Sequence, residues 1–272
     1  MKNYMENVRK KKPLVHCITN YVTVNDVANV ILAAGASPIM ADALEEVAEI
    51  ARLCGGVCIN IGTLNRRTIE AMFAAGKEAA ELGRPVLIDP VGAGASKLRT
   101  ETAARLIAEV RPTAVRGNMS ELRALVSGDG NTQGVDASLV DAVSEDNLSE
   151  AVGFVKKAAA KFGAVVAVTG AIDLVADADT CLVIRNGRPE MGSITGTGCQ
   201  LSGLAAAYLA ANGERALEAV AAATMTMGLA GEIAFARLQE GEGNATYRNR
   251  IIDAVYNMDE MTFERMAKYE RA

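Results

Sequence analysis

PVLIDPVGAGASKLRTETAARLIAEVRPTAVRGNMSELRALV, residues 85–126, decides the fold. Two short apolar runs, PVLID (85–89) and TAVR (113–116), each end in a polar or glycine-rich turn. Each is followed by a segment with apolar residues at three- and four-residue spacings, 100–109 and 119–126. A short, continuously apolar run gives way to a helical period twice in succession, so the stretch reads strand, helix, strand, helix. The runs are continuously apolar, as expected of strands buried on both faces of a parallel sheet.

The alternation extends in both directions. LVHCIT (14–19), SPIM (37–40), GVCINI (56–61) and AVVAVT (164–169) read as further strands; 24–34, 44–53, 66–82 and 147–162 read as helices. The expectation is an α/β sandwich of three layers, with a mainly parallel central sheet flanked by helices on both faces. Beyond Val168 the pattern changes: LVAD (174–177) and TCLVIRNGRP (180–189) read as an antiparallel edge hairpin. Helices over 199–211, stopped at Asn212 and Gly213, and over 214–238 follow. The polar, glycine-containing segment 127–146 reads as a surface excursion, and residues 1–272 as one domain.

Composition narrows the function classes. Half of the 272 residues are apolar and the net charge is −5 with the signs interspersed. The basic run 9–12 is the solvated end of a first helix, so nucleic acid is not an expected partner. The first residues lack an apolar signal core, and no uninterrupted apolar run approaches the ~18 residues of a membrane span. A cytoplasmic protein without a membrane partner is therefore expected. Five cysteines with no scaffold spacing and a single histidine argue for reduced, mostly buried thiols and against a dedicated zinc site. His16, inside an apolar strand, reads as a core histidine, and Met225 and Met227 as core filler.

Ligands of an open parallel sheet sit beyond the carboxyl ends of its strands. Polar chemistry gathers at those ends here: Thr19 and Asn20; Asp89 and the loop PVGAG (90–94); Arg116, Gly117, Asn118 and Glu121; Thr169 and Gly170. GSITGTGCQLSG (192–203) brings a glycine-punctuated loop to the start of an apolar helix with Cys199 at the junction, an anion site built from free helix N–H groups. Leu201 stands where a dinucleotide fingerprint needs its third glycine, and no Walker sequence occurs. Asp89 and Glu121 are hard oxygen donors suited to Mg2+, and Arg116 suits phosphate oxygens. Together these are the parts of phosphoryl transfer. Each also has a local role: Asp89 before Pro90 suits a turn, and Asn118 with Glu121 fits a capping box.

With HCITNYVTVNDVAN (16–29), GASPIMA (35–41), INIGTL (59–64), DPVGAGAS (89–96), VRGNMSE (115–121), VTG (168–170) and TGTGC (195–199), the chain resembles the hydroxyethylthiazole kinases of the ribokinase-like superfamily over nearly its whole length. The tail past Gly241 carries little of the likeness. The resemblance implies transfer of the ATP γ-phosphoryl group to the hydroxyl of 5-(2-hydroxyethyl)-4-methylthiazole, with Mg2+. It also implies a homotrimer whose thiazole sites lie at subunit boundaries. Met40 and Gly196 match thiazole contacts, with Asn20 and Val22 near them; Arg116 and Thr169 match ATP contacts, and Asp89 and Glu121 the acidic residues around Mg2+. Gly198 and the amides near Cys199 form the implied anion hole.

Many superfamily members carry an aspartate base where this chain has Cys199, which leaves two roles for the thiol, base or positioning group. The same substitution disfavours a hydroxymethylpyrimidine or pyridoxal kinase and an NADH-hydrate dehydratase, and the retained site residues disfavour a binding protein without turnover. With no tryptophan and 4% aromatic residues, a small heteroaromatic ring is expected to rest on aliphatic and thioether groups such as Val22 and Met40, in a pocket completed by a neighbouring subunit.

Overall fold

A computed structural model describes residues 1–127 and 142–272, so most of the expected surface excursion at 127–146 lies outside the described residues. The strands are β1 (Leu14–Ile18), β2 (Ser37–Ile39), β3 (Gly56–Asn60), β4 (Val86–Asp89), β5 (Ala114–Gly117), β6 (Val165–Val168), β7 (Asp173–Ala176), β8 (Cys181–Ile184) and β9 (Tyr269–Arg271). The helices are α1 (Tyr4–Lys11), α2 (Val24–Ala33), α3 (Val47–Leu53), α4 (Arg66–Glu81), α5 (Lys97–Val110), α6 (Met119–Ser127), α7 (Leu148–Phe162), α8 (Thr197–Ala211), α9 (Ala216–Ala236), α10 (Asn244–Asn257) and α11 (Glu260–Met266).

The strands form one sheet in the order β2-β1-β3-β4-β5-β6-β7-β8-β9, parallel as far as β6 and antiparallel from β6 onward. Fully buried strands such as VCIN on β3 and VLID on β4 explain why no alternation shows in their sequence. One core, with α1, α2, α8, α9 and α10, packs on one face, where Val15, Cys17, Cys58 and Leu87 point. The other, with α3, α4, α5 and α7, packs against Ile18, Val57, Ile59 and Ile88. The neighbours alternate in face along each strand, as a two-residue pleat requires. The three-layer expectation is therefore met.

One reading changes, and one stretch left unread gains structure. The hairpin β7–β8 is not the sheet edge, because β9 pairs with β8 and takes that place. Tyr269, Glu270 and Arg271 are all exposed, so a terminal three-residue strand has no apolar period to reveal it. The tail beyond Gly241 also holds α10 and α11, whose Tyr247, Ile251, Val255 and Phe263 complete the first core. The helix over 213–236 is long and apolar enough by composition to cross a membrane, but most of it is buried against α8, α10 and the sheet. Met225 and Met227 lie on it, both buried.

Candidate active site

The carboxyl ends of β1, β3, β4, β5 and β6 meet the first turn of α8, and a hydrogen-bonded chain of polar side chains runs across them. Asn60 closes β3 in register with Asp89, which closes β4. Its Nδ2 donates to Asp89 Oδ2 at 2.7 Å and to Cys199 Sγ at 3.3 Å. Its Oδ1 accepts from Asn20 Nδ2 at 3.0 Å and from the Gly62 N–H at 2.9 Å. Asn20 Nδ2 also donates to Cys199 Sγ at 3.2 Å, while Asn20 Oδ1 accepts from the Thr23 N–H and hydroxyl. Ser202, one turn beyond Gly198 on α8, donates its hydroxyl to Asp89 Oδ2 at 2.7 Å. Asn20, Asn60, Asp89 and Ser202 are all buried.

Arg116 enters from β5. One guanidinium nitrogen lies 3.7 Å from Asp89 Oδ2 and another donates to the Thr169 hydroxyl at the end of β6. Gly198 is required beneath it, since a Cβ there would stand 2.5 Å from Arg116 Nη1. Gly196 caps α8 at φ +88°, and a Cβ there would run into Thr23. The two glycines thus let α8 begin against the Asn20 turn on one side and the guanidinium on the other. Its first amides and dipole face that space.

Burial pushes the Asp89 carboxyl up to about 6, against the pull of Arg116 and of the Ser202 and Asn60 donors; Glu121 adds to the rise. Asp173, at the start of β7, accepts the Gly170 N–H at 2.9 Å, and burial raises it to about 7. The Cys199 thiol is also pushed up, first by burial and then by the charge of Asp89, with Thr23, Asn20 and Asn60 opposing. A helix N-terminus alone favours a thiolate. Here desolvation wins, and Cys199 is a thiol at neutral pH.

Glu121 does form the expected capping box: Asn118 Oδ1 accepts the Glu121 N–H, and Glu121 Oε2 accepts the Asn118 N–H, each at 2.8 Å. Its other oxygen accepts the Gly92 N–H at 2.8 Å, tying α6 to the loop that follows Asp89. Asp89 Oδ1 is buried without a hydrogen-bond partner, as is Arg116 Nε. An unpartnered carboxylate oxygen on Asp89 fits a divalent cation. No cluster of three or more His, Cys, Asp or Glu side chains gathers among the described residues. A pair of carboxylates with waters and phosphates completing the shell is the mode suited to Mg2+.

The predicted site residues therefore sort into three. Asn20, Asp89, Arg116, Thr169, Gly198 and Cys199 lie in one linked network, with Gly196 and Glu121 on its rim. Met40, just after β2, is half-buried and packs, as Cys199 does, against the first core. Val22 is 60% exposed and Tyr21 beside it 78%. Sequence reading gave no role to Asn60, Thr23, Ser202 or Asp173. The available signal for Asn60 was an amide ending an otherwise apolar strand. His16 is buried with Nε2 2.7 Å from the Ala41 carbonyl, as a core histidine should be, and all five cysteines are free.

A cavity of about 470 Å3 opens beside this network. Its lining comes from Arg116, Thr169 and Asp173 on the strand side, Thr197, Gly198 and Leu201 of α8, residues 186–189, 191 and 192 after β8, and Thr224, Met227 and Gly228 of α9.

Residues 5–261 match the Hydroxyethylthiazole kinase family. The chain is 53% identical over 270 residues to a hydroxyethylthiazole kinase of Clostridium acetobutylicum, covering 99% of both chains. Among solved structures it is similar to a hydroxyethylthiazole kinase protein from Pyrococcus horikoshii OT3, with TM-score 0.88 and 36% identity over 99% of this chain and 98% of that one. A ribokinase-like superfamily protein from Enterococcus faecalis V583 shares the fold at TM-score 0.60 and 13% identity, over 93% of this chain and 89% of the other.

Proposed function

The chain belongs to the hydroxyethylthiazole kinase family and phosphorylates the thiazole alcohol in thiamin salvage, and from that premise we propose how the site residues divide the work. The polar network joining Asn20, Asn60, Cys199, Asp89 and Arg116 is the observation that supports the division. ATP lies in the 470 Å3 cavity with its phosphates toward Arg116, Thr169, Asp173 and the amides of Thr197, Gly198 and Cys199. The alcohol arrives from the opposite side, over Asn20 and Cys199, with the ring near Val22, Met40 and Gly196.

Cys199 positions the acceptor hydroxyl and does not act as base, because burial keeps its thiol protonated. A loose phosphoryl-transfer transition state makes little demand on a strong base, so alignment carries most of the rate. Asn60 holds that alignment: its single amide fixes Asn20 and Cys199 on the acceptor side and Asp89 on the phosphate side. Asp89 and Glu121 are the residues to hold Mg2+, chiefly through water. When bound, the ion offsets charge developing on the phosphoryl oxygens.

The chain acts as one domain, and the functional unit is a homotrimer. Exposed Tyr21 and Val22 flank the acceptor side, and Leu32 and Leu44 are also exposed, so the thiazole pocket is completed by a neighbouring copy. Light scattering should give an oligomer; a fully active monomer would contradict this. The free state of all five cysteines supports a reducing, cytoplasmic setting.

The deciding assay is Mg2+-dependent ADP release with hydroxyethylthiazole, hydroxymethylpyrimidine, pyridoxal or no acceptor. Turnover confined to the thiazole is the expected result. Turnover with another alcohol in its place would discard the acceptor assignment, and no turnover with any alcohol would discard the division of roles.

A further inference from the structure

We infer that this phosphotransferase accepts nucleoside triphosphates in general, reading the triphosphate end of its donor and leaving the base unread. The inference rests on the reading of the 470 Å3 cavity as the nucleotide site. With phosphates at the Arg116 and Gly198 end, the base falls at the other end, among the residues after β8 and those of α9.

At that far end the polar side chains are already engaged with the protein. Asn186 donates to Glu232 Oε1 at 3.2 Å and to the Met266 carbonyl at 3.1 Å, and its Oδ1 accepts the Lys268 N–H at 2.8 Å. The Gly187 N–H is bonded to Glu232 Oε1 at 3.0 Å. Arg188 is held twice by Glu190, at 2.8 and 3.0 Å, and its guanidinium lies 4.0 Å over the Phe235 ring. Thr224 donates its hydroxyl to the Val220 carbonyl at 2.9 Å, which leaves it an acceptor only. The other described lining residues there are Pro189, Met191, Gly192, Leu201, Met227 and Gly228, which carry no side-chain hydrogen-bond donor.

The phosphate end is the opposite. Arg116, Thr169, Asp173 and Thr197 face the cavity there, and Arg116 Nε has no partner. These groups meet the parts that every nucleoside triphosphate shares.

The magnitude of discrimination follows from this distribution. A site that hydrogen-bonds a substrate group rejects an analogue lacking it by about 10⁴–10⁵-fold, whereas an apolar pocket discriminates by only about 10–200-fold. The acceptor left on Thr224 adds about tenfold, the worth of a single neutral hydrogen bond, and Arg188, turned to Glu190 and Phe235, keeps only its Nη1 donors.

The test measures kcat/KM for thiazole phosphate formation with ATP, GTP, CTP and UTP at saturating thiazole and Mg2+. At least one of the three alternatives is expected within about a hundredfold of ATP, and 1 mM ADP, GDP, CDP and UDP are expected to raise Tm alike. A preference for ATP above about a hundredfold over all three overturns the inference and leaves the kinase reading intact. No turnover with any nucleotide overturns the kinase reading and the inference with it. Thr224→Val is expected to change the spread among the nucleotides by no more than about tenfold, the worth of its one acceptor; a larger collapse of the ranking in that variant would show that the base is read after all.

Discussion

Cys199 meets two opposing influences within a few ångströms. The helix start favours the thiolate, while burial and Asp89 oppose it, and the opposing pair prevails. Alkylation of Cys199 by iodoacetamide should therefore be slow at pH 7 and still rising at pH 9; a plateau by pH 7 would restore a thiolate base. Cys199→Ser should keep thiazole binding and measurable turnover. Complete loss in that variant, with full recovery in Cys199→Asp, would defeat the positioning role. Asp89 is the residue where function opposes stability. Its carboxyl sits near 6 in the folded chain, above the ordinary carboxylate value, so its favourable contribution is complete below about pH 4 and lost as pH rises through 6. The gap of about two units corresponds to ~3 kcal/mol at pH 7, as an upper bound. Asp89→Asn should abolish turnover yet raise Tm at pH 7, with a gain that shrinks toward pH 5. A lower Tm at pH 7 would show that the Ser202 and Asn60 bonds to the carboxylate outweigh its desolvation.

The element that organises the site is the first turn of α8. Gly196 at φ +88° and Gly198 beneath Arg116 allow an otherwise apolar helix to begin between two polar neighbours. Gly196→Ala places a side chain in a left-handed conformation and against Thr23, a cost of about 1–3 kcal/mol. Urea denaturation should register that loss, and KM for the thiazole should rise because Thr23 holds Asn20. An unchanged urea midpoint would mean that the α8 start relaxes freely. By contrast, Arg116→Ala leaves the helix start unobstructed and should act mainly on KM for ATP, at least tenfold, given that a charge-assisted hydrogen bond is worth roughly 1.5–3 kcal/mol.

At the scale of the molecule, β9 closes the antiparallel end of the sheet. Tyr269, Glu270 and Arg271 pair with β8, and Arg185 on the segment after β8 bridges to Glu145 and Glu270. Removing residues 269–272 would leave the β8 edge unpaired, and an open edge invites association with other chains. The truncated protein should melt lower and aggregate on heating, while the kcat of its soluble fraction stays within about threefold of the intact chain, on the order of 0.7 kcal/mol. A marked fall in kcat would place the terminus in the active site's support.

Much of this protein is legible in its residue order. Apolar runs buried on both faces and helices of regular period are local consequences of a three-layer α/β architecture, so β1, β3, β4, β5 and β6 can be read directly. Polar residues at the ends of such runs mark the rim, which is how Asn20, Asp89, Arg116 and Thr169 could be named beforehand, and the glycines before Cys199 mark a helix start open to an anion. What tertiary structure alone decided is which of these groups touch and in what state they do so. Asn60 and Ser202 became site residues because strand register and helix docking bring them to Asp89 from 29 and 113 positions away. The protonation of Cys199 and Asp89 depends on desolvation, a property of everything packed around them. β9 was invisible because a strand with three exposed residues takes its identity from the β8 edge it pairs with.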